Sequence, residues 1–257
     1  MEFERGMEFD LSKGRPMKLG RSLGKRVVQS ASGAVVVLLL GGCAGPLSTL
    51  DPAGPSAQSL AQLWYFILVF TGVIFVLMFA VLLAAALRPE WVRRFTPRQL
   101  IVWGGLVMPT AGLVALVGFA VYLGEQLIPR ADADDVVSIE VTAHQWHWDF
   151  RYPEAPDGLE ATSRHVLHIP ADREVHLSIT SSDVIHSFWV PRLAGKIDAI
   201  PGHVNVLRLQ ADVPGVYAGV CAEYCGVGHA PMTFTVEAHA PEDYEAAIRA
   251  LAEAGGS

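Results

Sequence analysis

Residues 137–141 read Val137-Ser138-Ile139-Glu140-Val141, apolar at every second position. A period of two marks a β-strand with one buried face. The alternation recurs at Leu167 and Ile169 and at Val175, Leu177 and Ile179, and a last short strand is expected over residues 232–236. Short strands separated by Pro, Gly and Asp predict an all-β sandwich or barrel. Val204 and Val206 begin another such run, but Leu207 and Leu209 continue it out of phase. A bulge, or a strand buried on both faces, explains such a slip. Residues 241–254 read as a helix, with Pro241 at its start, Glu242 and Asp243 in the first turn and Gly255 beyond its end. Ala247, Ile248 and Leu251 are its expected apolar face.

The pattern upstream is different. Residues 63–87 and 101–123 carry no charge, and each run exceeds the roughly 20 residues that cross a bilayer as a helix. Pro109 in the second run is tolerable where neighbouring groups re-satisfy the freed carbonyl. Between the runs stand Arg88, Arg93, Arg94 and Arg98 against Glu90 alone. Positive loops stay in the cytoplasm, so the predicted two-helix transmembrane hairpin sends both flanking segments outward. Residues 1–17 are polar, with Met7 and Met17 as further possible starts. Lys18, Arg21, Lys25 and Arg26 then precede a short apolar core at 34–40 and Leu40-Gly41-Gly42-Cys43. A basic head, a short apolar core and small residues describe a secretory signal. Leu-Gly-Gly-Cys resembles a bacterial lipobox, which implies cleavage before Cys43 and a lipid anchor on it. The expected organisation is an extension and signal peptide over 1–42, a membrane anchor over 43–130, the β domain over 131–240, and a helix and tail over 241–257.

Hydrophobic residues make up 51% of the 257 positions, and charge divides with them. Residues 1–130 carry a formal +5 and residues 131–257 a formal −12. An acidic outer domain excludes nucleic-acid binding through phosphates, which requires Lys and Arg. It suits attraction of a basic protein partner. Three cysteines, Cys43, Cys221 and Cys225, make no disulfide framework.

The chemistry concentrates in Cys221-Ala222-Glu223-Tyr224-Cys225-Gly226-Val227-Gly228-His229-Ala230-Pro231-Met232. Two thiols, an imidazole and a thioether lie in one segment, and soft sulfur with imidazole suits copper, zinc or iron–sulfur. Gly226, Gly228 and Pro231 place the donors on a loop between strands. His186 is a further candidate upstream. A mononuclear blue-copper site uses one Cys, two His and a weak axial group, one thiolate fewer than here. Two thiolates can bridge two copper ions, with one His terminal on each and Met232 completing one of them. Tetrahedral zinc would use Cys2His2 and leave Met232 without a role. A Cys221–Cys225 redox pair would leave both His and the Met unexplained.

This segment resembles cytochrome c oxidase subunit II, and the resemblance runs from the first apolar stretch to the Met232 loop. The Cys-x-Glu-x-Cys-x3-His-x2-Met run is highly specific for that family's CuA centre, and His186 stands 35 residues before Cys221 as the pattern expects. The resemblance implies a membrane-anchored cupredoxin domain that takes electrons from cytochrome c and passes them to haem in subunit I, where oxygen is reduced to water with proton pumping. It implies two copper ions bridged by Cys221 and Cys225, with His186, His229 and Met232 terminal and the Glu223 carbonyl on one copper. The Glu223 carboxylate would share a magnesium ion with subunit I, and subunit III would complete the membrane complex. Related quinol oxidase subunits share the fold but lack these cysteines. In His144-Gln145-Trp146-His147-Trp148-Asp149-Phe150 the first Trp matches the family's electron acceptor from cytochrome c, so Trp146 is the expected input point. The plainer alternative is two tryptophans packed on the core. The segments 183–186 and 195–202 also match, the second facing subunit I.

Departures from the family are as specific. Arg98, Gln99 and Leu100 stand where a carboxylate often guards a proton path, and Arg151 where an acidic docking residue is common. His147 replaces a frequent Tyr. Asp149, Glu154, Asp157 and Asp183 are the remaining acidic docking candidates. His165, His168, His176 and His239 fit no ligand pattern. The rival in another class is a membrane-tethered copper- or zinc-binding protein without oxidase activity.

Overall fold

The computed structural model describes residues 44–128, 136–156 and 160–255. The expected signal segment with Cys43, and Asp157, lie outside them. From Gly45 onward the chain forms one compact unit.

Ten strands make two five-stranded sheets. The first has the order β3 (Ala161–Arg164), β2 (His147–Tyr152), β1 (Val137–His144), β5 (Val175–Ser181), β8 (Asn205–Leu209). The second runs β4 (Val166–Pro170), β10 (Thr233–His239), β9 (Gly215–Cys221), β6 (His186–Trp189), β7 (Ile197–Ala199). β1 pairs parallel with β5, which sets Ile139 beside Leu177 and Val141 beside Ile179, all fully buried. The period-two residues of the sequence are therefore the inner faces of a cupredoxin-like β-sandwich. Between the sheets Trp148, Phe188 and Phe234 close the core, with ring centroids 5.5 Å apart for Trp148–Phe188 and 4.5 Å for Phe188–Phe234.

The phase slip at 204–209 has neither of its expected causes. β8 is an edge strand that turns Leu209 fully inward, packs Leu207 on the core and leaves Val206 exposed. The last strand also runs further than expected, to His239. The terminal helix, α3 (Pro241–Gly255), buries Tyr244, Ile248 and Ala252. That i, i+4, i+8 stripe is the helix-period face, with Leu251 beside it.

Among the described residues two helices are long and apolar enough to cross a membrane, α1 (Pro55–Leu87) and α2 (Pro97–Gly124). They meet where Phe66 lies 4.7 Å from Phe119 and the Phe70 ring lies against Gly112. α2 opens with a capping box between Thr96 and Gln99 and widens to π-helical turns over Leu100–Val107. Those turns run up to Pro109, whose missing N–H interrupts the regular ladder. Helix α1 starts two turns before the apolar run that begins at Leu63, and these turns bury Ser56, Ala57, Ser59 and Ala61. Ala53 N–H donates to Arg192 O (2.7 Å), Ala57 N–H to Leu193 O (3.2 Å) and Asp212 N–H to Ala53 O (2.9 Å). Arg192 also reaches the Asp51 carboxylate at 3.1 Å. At Gly54 any Cβ would lie 2.1 Å from Gln210 O, so no side chain fits in this seam.

Candidate metal centre

The loop from Cys221 to Met232 joins the end of β9 to the start of β10, and His186 opens the neighbouring β6. Pairing of Phe188 with Cys221 fixes the two strands in register, which carries His186 to the loop. Cys221 and Cys225 are both free thiols, with their sulfurs 3.8 Å apart. His186 Nδ1 lies 3.8 Å from the Cys221 sulfur, while His229 Nδ1 and Met232 Sδ each lie 3.7 Å from the Cys225 sulfur. The Glu223 carbonyl accepts from the Cys221 thiol at 3.3 Å. These protonated thiols stand in for the thiolates of a metal-loaded site. All five donor side chains expected from the sequence thus meet in one place. Glu223 presents only its carbonyl to it, and its side chain is exposed.

The site is dry on one side. His186 is fully buried, and Cys221, Cys225 and Met232 are nearly so. Burial, and then the neighbouring Cys221 thiol, pushes the Cys225 thiol up to about 12. Binding a cation there therefore has to expel protons, as thiolate metal sites do.

The donor set fits two ions better than one. Donor atoms around a single tetrahedral ion lie roughly 3.3–3.8 Å from one another. Those of His186, Cys221 and Cys225 all lie within 4.8 Å of one another, and His229 does not join that set. The two imidazoles flank opposite ends of the sulfur pair, and each sulfur has its own imidazole. The thioether and the carbonyl add one weak donor to each end.

His186 is held in place by Asp183, one of the acidic docking candidates. Asp183 Oδ1 lies 2.8 Å from His186 Nε2 and leaves Nδ1 facing the sulfur. The same carboxylate accepts backbone N–H groups of Gln145 and Val184, each at 2.6 Å. Burial alone would raise its pKa, but these hydrogen bonds outweigh it and hold the group at about 2. A carboxylate behind a ligating histidine is the usual orienting device. The sequence signal was an acid three residues before the histidine.

Trp146 and Trp148 face opposite ways. Trp148 is fully buried in the core, while Trp146, in the turn between β1 and β2, is 38% exposed. Trp146 Nε1–H and Gln145 Nε2–H both donate to Cys225 O, at 3.2 and 2.7 Å. The indole lies on the loop so closely that a Cβ at Gly228 would come within 2.3 Å of it. Gly226 takes φ +119° beneath it, a conformation that favours glycine. Val184, Ile185, Tyr224 and Val227 are exposed apolar side chains of the site's own loops, and Tyr224 meets His229 edge-on at 5.7 Å.

The described acidic docking candidates differ in what they bind. Asp183 is tied to His186, Asp149 is paired with Arg164 at 2.8 Å, and Glu154 is exposed. Arg151 binds Glu140 and Glu160 at 2.7 and 3.1 Å. His176 bonds Glu174 at 2.8 Å, and His168 meets His239 at 2.9 Å.

Residues 157–239 match the family of cytochrome c oxidase subunit II periplasmic domains. The quinol oxidase subunit 2 of Bacillus cereus is 32% identical over 231 residues, covering 85% of this chain and 77% of that protein. The chain belongs to the cytochrome c oxidase subunit II family. The cytochrome c oxidase subunit 2 of Alkalihalophilus pseudofirmus is 34% identical over 84% of this subunit II chain, which spans 66% of that relative's length. The periplasmic domain of cytochrome oxidase subunit II from Bradyrhizobium japonicum is 26% identical, with TM-score 0.44, over 50% of this chain and 99% of that one. Identity alone does not separate cytochrome c from quinol oxidases among these relatives of subunit II.

Proposed function

We propose that this chain is the electron-input subunit of an aerobic respiratory terminal oxidase, with cytochrome c as donor and haem of subunit I as acceptor. One observation carries the reading: two imidazoles stand at opposite ends of a buried cysteine pair, with Met232 beside one sulfur. Cys221 and Cys225 would bridge two copper ions, with His186, His229 and Met232 terminal and the Glu223 carbonyl on one of them. When bound, such a dinuclear centre supplies a one-electron store whose charge is shared by both ions. The same cysteines favour cytochrome c over quinol as donor, where the relatives' identities do not choose.

The chain's own residues do the rest. The β9–β10 loop keeps the sulfurs out of water, and Asp183 aims His186. Trp146 offers the outside an exposed indole hydrogen-bonded to the carbonyl of Cys225. We assign it as the point where the electron arrives from cytochrome c. The exposed Glu223 carboxylate is the candidate for a magnesium ion shared with subunit I, and residues 195–202 for contact with that subunit. Subunit III completes the proposed complex. The sandwich would stand on the outer face of a bacterial plasma membrane, with the arginines between α1 and α2 inside and Cys43 as lipid anchor. Arg98 and Leu100 offer no carboxylate for a proton path.

The test is spectroscopic. Copper-loaded full-length chain is expected to be purple, with an electron-spin-resonance signal split by two equivalent copper nuclei. A colourless protein holding one zinc ion would overturn the reading in favour of a tethered metal-binding protein.

A further inference from the structure

His144 and His147 are directly opposed across the turn that carries Trp146, as the last pair of the β1–β2 ladder. Their rings stack almost parallel, 5° apart in plane with centroids at 4.6 Å. Both Nε2 atoms converge on one carboxylate oxygen, Asp149 Oδ2, at 3.3 and 3.4 Å. Bonds of 2.0–2.2 Å to a tetrahedral ion put neighbouring donors about 3.3 Å apart. The three donor atoms all lie within 4.8 Å of one another, close enough for a single ion to collect them once the stacked rings turn their Nε2 atoms toward it. We propose that His144 Nε2, His147 Nε2 and Asp149 Oδ2 form a metal site separate from the sulfur centre, for one divalent transition ion of the zinc class.

The hydrogen bonds behind the site point the same way. Ser182 Oγ lies 2.7 Å from His144 Nδ1, and its hydroxyl donates to Ala143 O at 3.3 Å. Ser182 thus holds the His144 ring by Nδ1 and leaves Nε2 turned toward Asp149. A ligating histidine commonly engages its other ring nitrogen with an oxygen in this way. Arg164 holds the Asp149 carboxylate from its far side, Nε to Oδ1 at 2.8 Å and NH2 to Oδ2 at 3.3 Å. The ion would take over the second of these contacts. A cavity of about 500 Å³ lined by His144, Asp149 and Arg164 leads to the site. The His168–His239 pair differs, because its facing ring nitrogens stand at hydrogen-bond distance, 2.9 Å, too close for an ion between them.

The test uses zinc and cobalt ions on the full-length chain with Cys221 and Cys225 both replaced by Ser, and on the wild-type chain. The Cys-free chain is expected to bind one equivalent of cobalt with ligand-field bands and no sulfur charge-transfer band, and the wild-type chain to bind further cobalt at the sulfur centre with that band. His147→Gln and Asp149→Asn should each weaken zinc at least about tenfold, and Ser182→Ala about tenfold. Unchanged zinc affinity in His147→Gln and Asp149→Asn would overturn the site. So would cobalt that binds solely with sulfur charge transfer. Because the Cys-free chain reports this site alone, the result stands apart from the copper assignment.

Discussion

Trp146 donates its indole N–H to the carbonyl oxygen of Cys225 across 3.2 Å, joining an exposed aromatic ring to a buried thiol residue by one hydrogen bond. The bond gives the ring both a fixed position and a short covalent route inward.

Replacing Trp146 by Ala should therefore cut the rate of reduction by cytochrome c by one or more orders of magnitude while leaving the copper spectrum intact. Trp146→Phe, which keeps a ring but loses the hydrogen bond, should fall between. Stopped-flow reduction of the assembled oxidase measures both; a wild-type rate in the Ala variant would remove Trp146 from the path.

Gly228→Ala tests the same contact from beneath. The new methyl would meet the indole at 2.3 Å, and relieving such overpacking costs about 1–3 kcal/mol. The expected readouts are a lower Tm and a shifted Trp fluorescence maximum. Unchanged values would mean that the ring is not seated on the loop.

Asp183→Asn should weaken copper retention by about 10–100-fold, because His186 loses the carboxylate that orients it. The pH dependence has a definite sign. The folded carboxyl sits at about 2, below its ordinary value of 3.8. Its stabilisation is complete above that ordinary value and is lost as pH falls towards 2. The stability difference between wild type and Asp183→Asn should therefore vanish in acid. Denaturant unfolding of the apoprotein from pH 6 down to 2 would show it.

Met232→Leu conserves volume at a buried position, so the fold and both coppers should persist with an altered reduction potential. Cys221→Ser should abolish the two-copper spin signal. If that signal survived unchanged in Cys221→Ser, the bridging role would be wrong.

Residues 131–257 carry a formal −12, so reduction by a basic cytochrome should slow as salt rises. Asp183 and Asp149 are held by internal partners, so the expected attraction is that of the domain's overall field. A rate flat in salt would leave the exposed apolar rim alone to guide docking.

The metal-binding loop was legible because thiols, imidazole and thioether are rare together, and the sandwich because Ile139, Leu177 and their neighbours alternate. What escaped depended on partners remote in sequence. Asp183 reads as a surface acid until β6 folds His186 back over it. Ser56, Ala57 and Ser59 are too small and polar to announce a buried helix face, and the Leu193 carbonyl that accepts from Ala57 N–H is remote in sequence. The slip at Val206 misled because an edge strand tolerates an apolar residue facing out. His147 looked like a simple departure until the turn set it against His144.

The seam at Gly54 makes helix α1 and the sandwich a single strut. With Ala53, Ala57 and Asp212 laced by backbone hydrogen bonds, the height of the sulfur pair above the helix is a fixed length. Tunnelling rates fall steeply with separation, so in the proposed electron path this strut would act as a gauge block for the gap to be crossed. Lengthening the chain by one residue between 50 and 54 would disturb that spacing without touching a single ligand.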